Sequence, residues 1–357
     1  MVLDRPAFHV RSLHMSGTLA GVPRRFHPSR LRRWLAGSPG PSPLPPPDGT
    51  FRAQARRFTV AQTLVRAFYA FLLYLAVSQF TELAGLLERN VNAPLWPIAW
   101  LRWVDPATGL RVLLAFYLGT NIFGAFTAPW RASRVLTFLG LLQYVALKNS
   151  FGKIGHSLHL PLIVAGIFVL LPSGWNRPAP QTRRCSRQET LLVFWLAQAA
   201  VLLSYSMSGA AKVAAAAWQL GTGQPNAFAP GGLGAFVAQR LLQTHSTSFF
   251  GAWIIHHPFL TWPALPAAIS LEFFAFLVAF RPALARPWAA LLILFHGGTY
   301  YTMTITFPQN CFLLVLFFFV SPFEPEVVLP WQARLLDVPC LRNLNKFRQT
   351  TRQRRGV

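Results

Sequence analysis

The chain has 357 residues, of which 53% are hydrophobic and 14% aromatic, and its 12% of charged residues falls well below the roughly one quarter usual in soluble domains. That composition argues against a water-soluble globular protein and for a membrane-embedded one. The formal net charge of +23 does not point to nucleic acid, because the arginines lie in short segments between apolar runs and in both tails, where anionic lipid headgroups are the matching partner.

Residues 1–60 contain PSPLPPPDG and the pairs Arg24–Arg25, Arg32–Arg33 and Arg56–Arg57 without a sustained apolar run. They read as a disordered basic cytoplasmic tail and not as a secretory leader. Within them RRFHPSRLRRWLAG has the pattern of a short surface helix, and Met15 is an internal candidate for the start of translation. Residues 61–327 then predict an all-α fold, a polytopic transmembrane bundle of about eight spans, at 64–87, 110–128, 133–149, 158–172, 190–212, 262–281, 287–306 and 308–323. The spans at 158–172 and 308–323 are short for about 30 Å of hydrocarbon and are expected to tilt, distort or reach only part of the way. Residues 328–357 form a second basic cytoplasmic tail.

The connection from 213 to 261 is long and partly apolar; Phe236, Leu241, Leu242 and later aromatics alternate with polar residues, a pattern compatible with an interfacial or re-entrant helix. Trp218, Trp253 and Trp262 suit interface anchors. With the first tail in the cytoplasm, PWRASR, NRPAPQTRRCSR, RPALARP and the final NKFRQTTRQRRGV fall on the same side. The opposite connections, around 88–109, 149–157, 213–261 and 306–308, hold fewer positive charges for their combined length. An even number of spans with both termini cytoplasmic satisfies the positive-inside rule at every crossing. Cys185, Cys311 and Cys340 form no CxxC and no framework spacing, so neither a zinc site nor a disulfide scaffold is expected.

Polar residues inside the apolar runs are the candidates for function. Lys212, in YSMSGAAKVAAAAWQLG, sits near the outer end of the fifth span. Its ammonium either snorkels to the headgroups or, partly withdrawn from water, serves as a base. Ser204, Ser206, Ser208 and Gly209 thin the same helix and permit a close neighbour. Glu272 lies midway through PAAISLEFFAFLVAF and requires a partner from another span, for which His296 is a candidate. His296, Tyr300 and Thr304 recur every four residues as one polar stripe, with Gly297 and Gly298 beside it allowing a close neighbour. His156 and His159, next to Lys153, share a helical face but supply too few ligands for a metal. Glu82 and Arg111 are additional pocket candidates and Arg66 a cytoplasmic-edge anchor. No phosphate loop, nucleophile elbow or HExxH helix is present.

YSMSGAAKVAAAAW, HSLHLPLIVAGIFVLLPSG at 156–174, and LEFFAFLVAFRP followed by LLILFHGGTYYTMTITFP at 271–308 together resemble the HTTM family. This is the horizontally transferred transmembrane domain related to vitamin K-dependent gamma-carboxylases, and the likeness covers about residues 60–325. Gly209 with Lys212 looks like the family's glycine and catalytic lysine. The resemblance implies that Lys212 belongs to a base system working with reduced vitamin K or another quinone, supported by His296, His156 or His159, at the outer face of a bacterial inner membrane. Glu272, Tyr300 and Ser208 would line or support the quinone or lipid pocket, and an exported peptide would be the substrate. The chain departs from the carboxylases in having Ala211 where they carry a second lysine, AAAA where acidic residues follow, and no large lumenal region after the membrane core. The same intramembrane Lys, Glu and His also suit a transporter of a small molecule or ion, and the scaffold suits a noncatalytic maturation helper.

Overall fold

In the computed structural model of the chain, residues 48–79, 85–86, 91, 93–152, 154–222, 226 and 228–323 are described, all within the unit that begins at Pro47. Glu82, Lys153, Cys340, RRFHPSRLRRWLAG and the carboxy-terminal tail lie outside them. The described residues are helices and their connections: α1 Asp48–Ser78, α2 Pro106–Thr127, α3 Arg131–Asn149, α4 His159–Phe168 and α5 Arg184–Gly221 in the first part. There follow α6 Gly232–Thr244, α7 Gly251–His256, α8 Pro258–Thr261, α9 Ala264–Phe273, α10 Ala285–Met303 and α11 Pro308–Leu314. α9 continues as a 3-10 helix over Ala275–Phe280, and α11 as a π-helical turn over Val315–Phe319.

Every segment expected to cross a bilayer therefore contains a helix, and among the described residues three helices are long and apolar enough to do so by length and composition: Ala53–Ser78, α2 and α5. Several boundaries differ from the sequence reading, and two of them bear on the first tail and on the site. Residues 48–60, read as part of the tail, are the first turns of α1, and α5 runs on to Gly221 instead of ending at Lys212. The alanines after Lys212 explain the second difference, since alanine has the highest helix propensity and loses no side-chain entropy. α2 begins sharply because Asp105 caps it: the carboxylate accepts from the Thr108 amide at 2.9 Å and Pro106 occupies the first turn. That amide holds the Asp105 carboxyl below its usual range.

The outward faces of these helices are themselves apolar. Tyr74, Val77, Val112, Phe126, Leu196 and Met207 are exposed, an arrangement that suits lipid and not water. Inside, Phe168 of α4 meets Phe68 of α1 edge-on at 5.2 Å, and Phe194 of α5 meets Phe317 at the same separation. α2 and α3 pair through small residues. A β-carbon on Gly124 would strike Thr137 and one on Gly140 would strike Thr120, while Thr137 Oγ1 donates to the Thr120 carbonyl at 2.9 Å.

Polar side chains tie one set of helix ends together. Arg134, 1% exposed, donates to the carbonyls of Ala128 (3.0 Å), Pro129 (2.9 Å) and Leu171 (2.7 Å). Those carbonyls follow the last turns of α2 and α4, where backbone oxygens lack intrahelical donors and the helix dipoles are negative, so the guanidinium is solvated by two helix ends. Gln62 donates to the carbonyls of Trp175 and Arg177, and exposed Arg66 donates to that of Asn176 at 3.2 Å. Arg66 thus anchors the arginine-rich connection between α4 and α5.

Replacing Arg134 by methionine strands the buried carbonyls of Ala128 and Leu171, each worth about 1–3 kcal/mol when left unsatisfied, and the part-buried one of Pro129. Arg134→Met is expected to lower the thermal unfolding midpoint in detergent clearly, and Arg131→Met, at an exposed position, to leave it near the parent value.

Candidate functional site at the junction of three helices

Tyr205, Ser208, Gly209 and Lys212 follow one another at helical spacing along a single face of α5. Gly209 brings α9 against that face: a β-carbon there would stand 2.7 Å from Phe273 Cα and 3.0 Å from the carbonyl carbon of Glu272. Backbones that close require a residue without a side chain. The contact is extended by Ser206, whose hydroxyl accepts from the Phe276 amide at 2.8 Å, just past the change from α to 3-10 geometry.

This approach places Glu272 beside Lys212. The carboxylate is buried, one oxygen accepts from Lys212 Nζ in an ion pair, and the other lies 3.5 Å from Ser208 Oγ. The two partners differ in setting, since the Lys212 side chain is 41% exposed and that of Glu272 only 5%. The ammonium also stands 5.7 Å from the ring centroid of Phe295 on α10.

A second polar pair adjoins the first. His296, the next residue on α10, is buried with Nε2 2.7 Å from the Tyr205 hydroxyl and its ring 5.0 Å from that of Phe307. With the phenol donating to Nε2, the proton of the neutral imidazole belongs on Nδ1, a buried atom without a partner among the described residues. Trp288 Nε1 donates to the Leu271 carbonyl at 3.2 Å and ties α10 to α9 two turns earlier.

The predicted site residues therefore divide. Lys212, Glu272, Ser208, Gly209 and His296 come together. The partner of Glu272 is Lys212 and not His296, which bonds instead to Tyr205; both partners lie on α5, whose polar face meets α9 at one turn and α10 at another. Tyr300 is exposed, one turn beyond His296, with its ring 5.2 Å from that of Tyr301. The stripe ends at Thr304, which adopts a left-handed conformation (φ 56°) and closes α10. Gly297 and Gly298 have nothing within 4 Å of a β-carbon, so the close approach assigned to them belongs to Gly209.

His156 and His159 face each other at the start of α4. Their Nδ1 atoms are 3.2 Å apart, and Asn149 Nδ2 lies 3.4 Å from His159 Nε2. Arg111 is exposed in the first turns of α2, where it adds to the field on Asp105. Among the described residues no cluster of three or more His, Cys, Asp or Glu is placed to hold a metal. Tyr205 and Phe295 were missed in sequence, although Tyr205 precedes Lys212 by two helical turns and was legible on that count.

No protein-family model matches the chain, and comparison with curated proteins and with solved structures gives no match.

Two stability measurements check this geometry. Gly209→Leu is expected to destabilise the protein in detergent by driving α5 and α9 apart, whereas Gly297→Ala, at an open position, leaves stability unchanged or slightly raised. Lys212→Met strands a buried carboxylate and is expected to cost on the order of 3–5 kcal/mol. Glu272→Leu leaves an ammonium that can reach a polar surface and costs less, and the double variant is more stable than Lys212→Met alone.

Proposed function

We propose that the chain is an eight-span membrane protein of HTTM type, with both termini cytoplasmic in a bacterial inner membrane, whose working centre is the Lys212–Glu272 pair with Tyr205 and His296 beside it. The observation that carries this reading is the ion pair itself, an amine and a buried carboxylate joined across two helices in a chain with long apolar helices. An intramembrane ionisable pair is costly to place, which favours a functional origin over a purely structural one.

The proposed chemistry is that of a positioned amine. Glu272 holds the Lys212 nitrogen on the face that α5 turns toward α9, and a ligand that takes the place of the carboxylate would meet that nitrogen as its base.

The cofactor proposed from the family resemblance is reduced vitamin K or another quinone, which with oxygen supplies a strong base for proton abstraction. What supports a ring ligand here is the donor set: His296 Nδ1 is buried without a partner among the described residues, and the rings of Phe295 and Phe307 lie beside the imidazole. Tyr205 holds the imidazole so that this donor is available. An exported peptide acid is the proposed substrate class.

The test is purification of the full chain in detergent, followed by quinone binding and incorporation of labelled carbon dioxide by parent and Lys212→Ala. Loss of incorporation by on the order of 10²–10⁴-fold, with quinone binding retained, is the expected outcome. Full activity in Lys212→Ala overturns the amine chemistry. A folded parent protein with neither binding nor incorporation turns the reading to transport or a helper role. Labelling of the 173–188 and 213–261 connections from either side checks the orientation, with the second expected outside.

A further inference from the structure

We infer that the helical hairpin of α6 and α7, with α8, is seated in the lipid leaflet and is not a water-exposed loop over the bundle. This rests on the membrane placement of the long helices and is independent of any chemistry at Lys212.

The hairpin has an inner face that is already satisfied. Val237 of α6 and Ile254 of α7 are buried, and a β-carbon on Gly251 would meet Leu241 at 2.7 Å. The opposite face is apolar as well. Leu242, Phe249, Phe259 and Leu260 are 71–81% exposed, and Trp253 and Trp262 are exposed beside them. A soluble lid with a packed inner face presents a polar outer one.

The hairpin is fixed in this orientation. The Phe250 amide donates to the Tyr301 carbonyl at 3.1 Å and Ser248 Oγ to the Thr302 carbonyl at 2.7 Å, satisfying oxygens that the last turn of α10 leaves free. Ser246 Oγ lies 3.3 Å from Thr304 Oγ1, and His245 turns the chain between the helices in a left-handed conformation (φ 48°). Turning the aromatic face inward would break these bonds.

Two observations identify lipid as the occupant. Between residues 228 and 262 the sequence carries a single formally charged residue, Arg240, too few for a surface meant to meet water or a polar partner. The segment leading into the hairpin is also held on an apolar-faced helix, since Asn226 Nδ2 donates to the Ala216 carbonyl at 3.0 Å, beside the turns of α5 on which Trp218 and Leu220 are exposed. Tryptophans bordering an apolar face on an otherwise uncharged helical segment are the composition of an interfacial element.

The experiment replaces Cys185, Cys311 and Cys340 by alanine and introduces single cysteines at Leu242, Phe249, Phe259 and Leu260 of the full chain. Each is spin-labelled and reconstituted into phosphatidylcholine–phosphatidylglycerol vesicles. Collision with molecular oxygen, which concentrates in lipid, is compared with collision with a neutral nickel chelate confined to water. Greater oxygen than nickel accessibility at all four positions is expected. Greater nickel accessibility would place the hairpin in water, and protection from both reagents would mean that protein covers the face; either overturns the inference. Because these side chains are exposed, labelling does not disturb the packed inner face, and helical content by circular dichroism checks each sample.

Discussion

The close approach of α9 to α5 at Gly209 is the constraint on which the rest of the candidate site depends. A carboxylate buried in an apolar bundle is tolerated only if a cation or several donors lie within hydrogen-bonding reach. Lys212 and Glu272 meet that requirement because the backbone of α9 lies where a side chain on residue 209 would otherwise stand. Ser206 secures the same contact one turn away, by taking the amide that the switch to 3-10 geometry releases. Small residues here allow a backbone approach that larger apolar side chains would prevent.

Charges packed into the bundle are handled in two contrasting ways. Arg134 is enclosed and has three backbone carbonyls from the ends of two helices around it, so its charge is absorbed by fixed dipoles and is unavailable to a ligand. Lys212 is half open and bound to one carboxylate, an arrangement with a single partner that can be exchanged. The first holds helix ends in place, and the second is suited to change. This difference, more than the presence of charge as such, singles out the α5, α9 and α10 junction as the place to look for activity.

The region around that junction also differs from the opposite part of the bundle in construction. At the α2, α4 and α5 ends, short connections are clamped by Gln62, Arg66 and Arg134 through backbone carbonyls. Beyond Lys212, α5 continues with outward-facing Trp218 and Leu220, and the α6–α7 hairpin is hung from the last turn of α10 by Ser248 and the Phe250 amide. α10 carries Phe295 and His296, so the hairpin and the candidate site share one helix.

Local pattern determined a good deal by itself. Apolar runs mark helices α1 to α5 and α9 to α11, the partly apolar 213–261 connection reads as an interfacial or re-entrant helix where the structure has α6, α7 and α8, and isolated polar residues mark Lys212, Glu272 and His296. Spacing along α5 was also enough to set Tyr205, Ser208, Gly209 and Lys212 on one face. Only the tertiary structure decided that Lys212 pairs with Glu272, 60 residues away, that His296 pairs with Tyr205, 91 residues away, and that Gly209, not Gly297, is the point of closest approach. Helical periodicity fixes which residues of one helix share a face. It carries no information about which other helix lies across that face, or at what height, because those follow from packing the whole bundle at once.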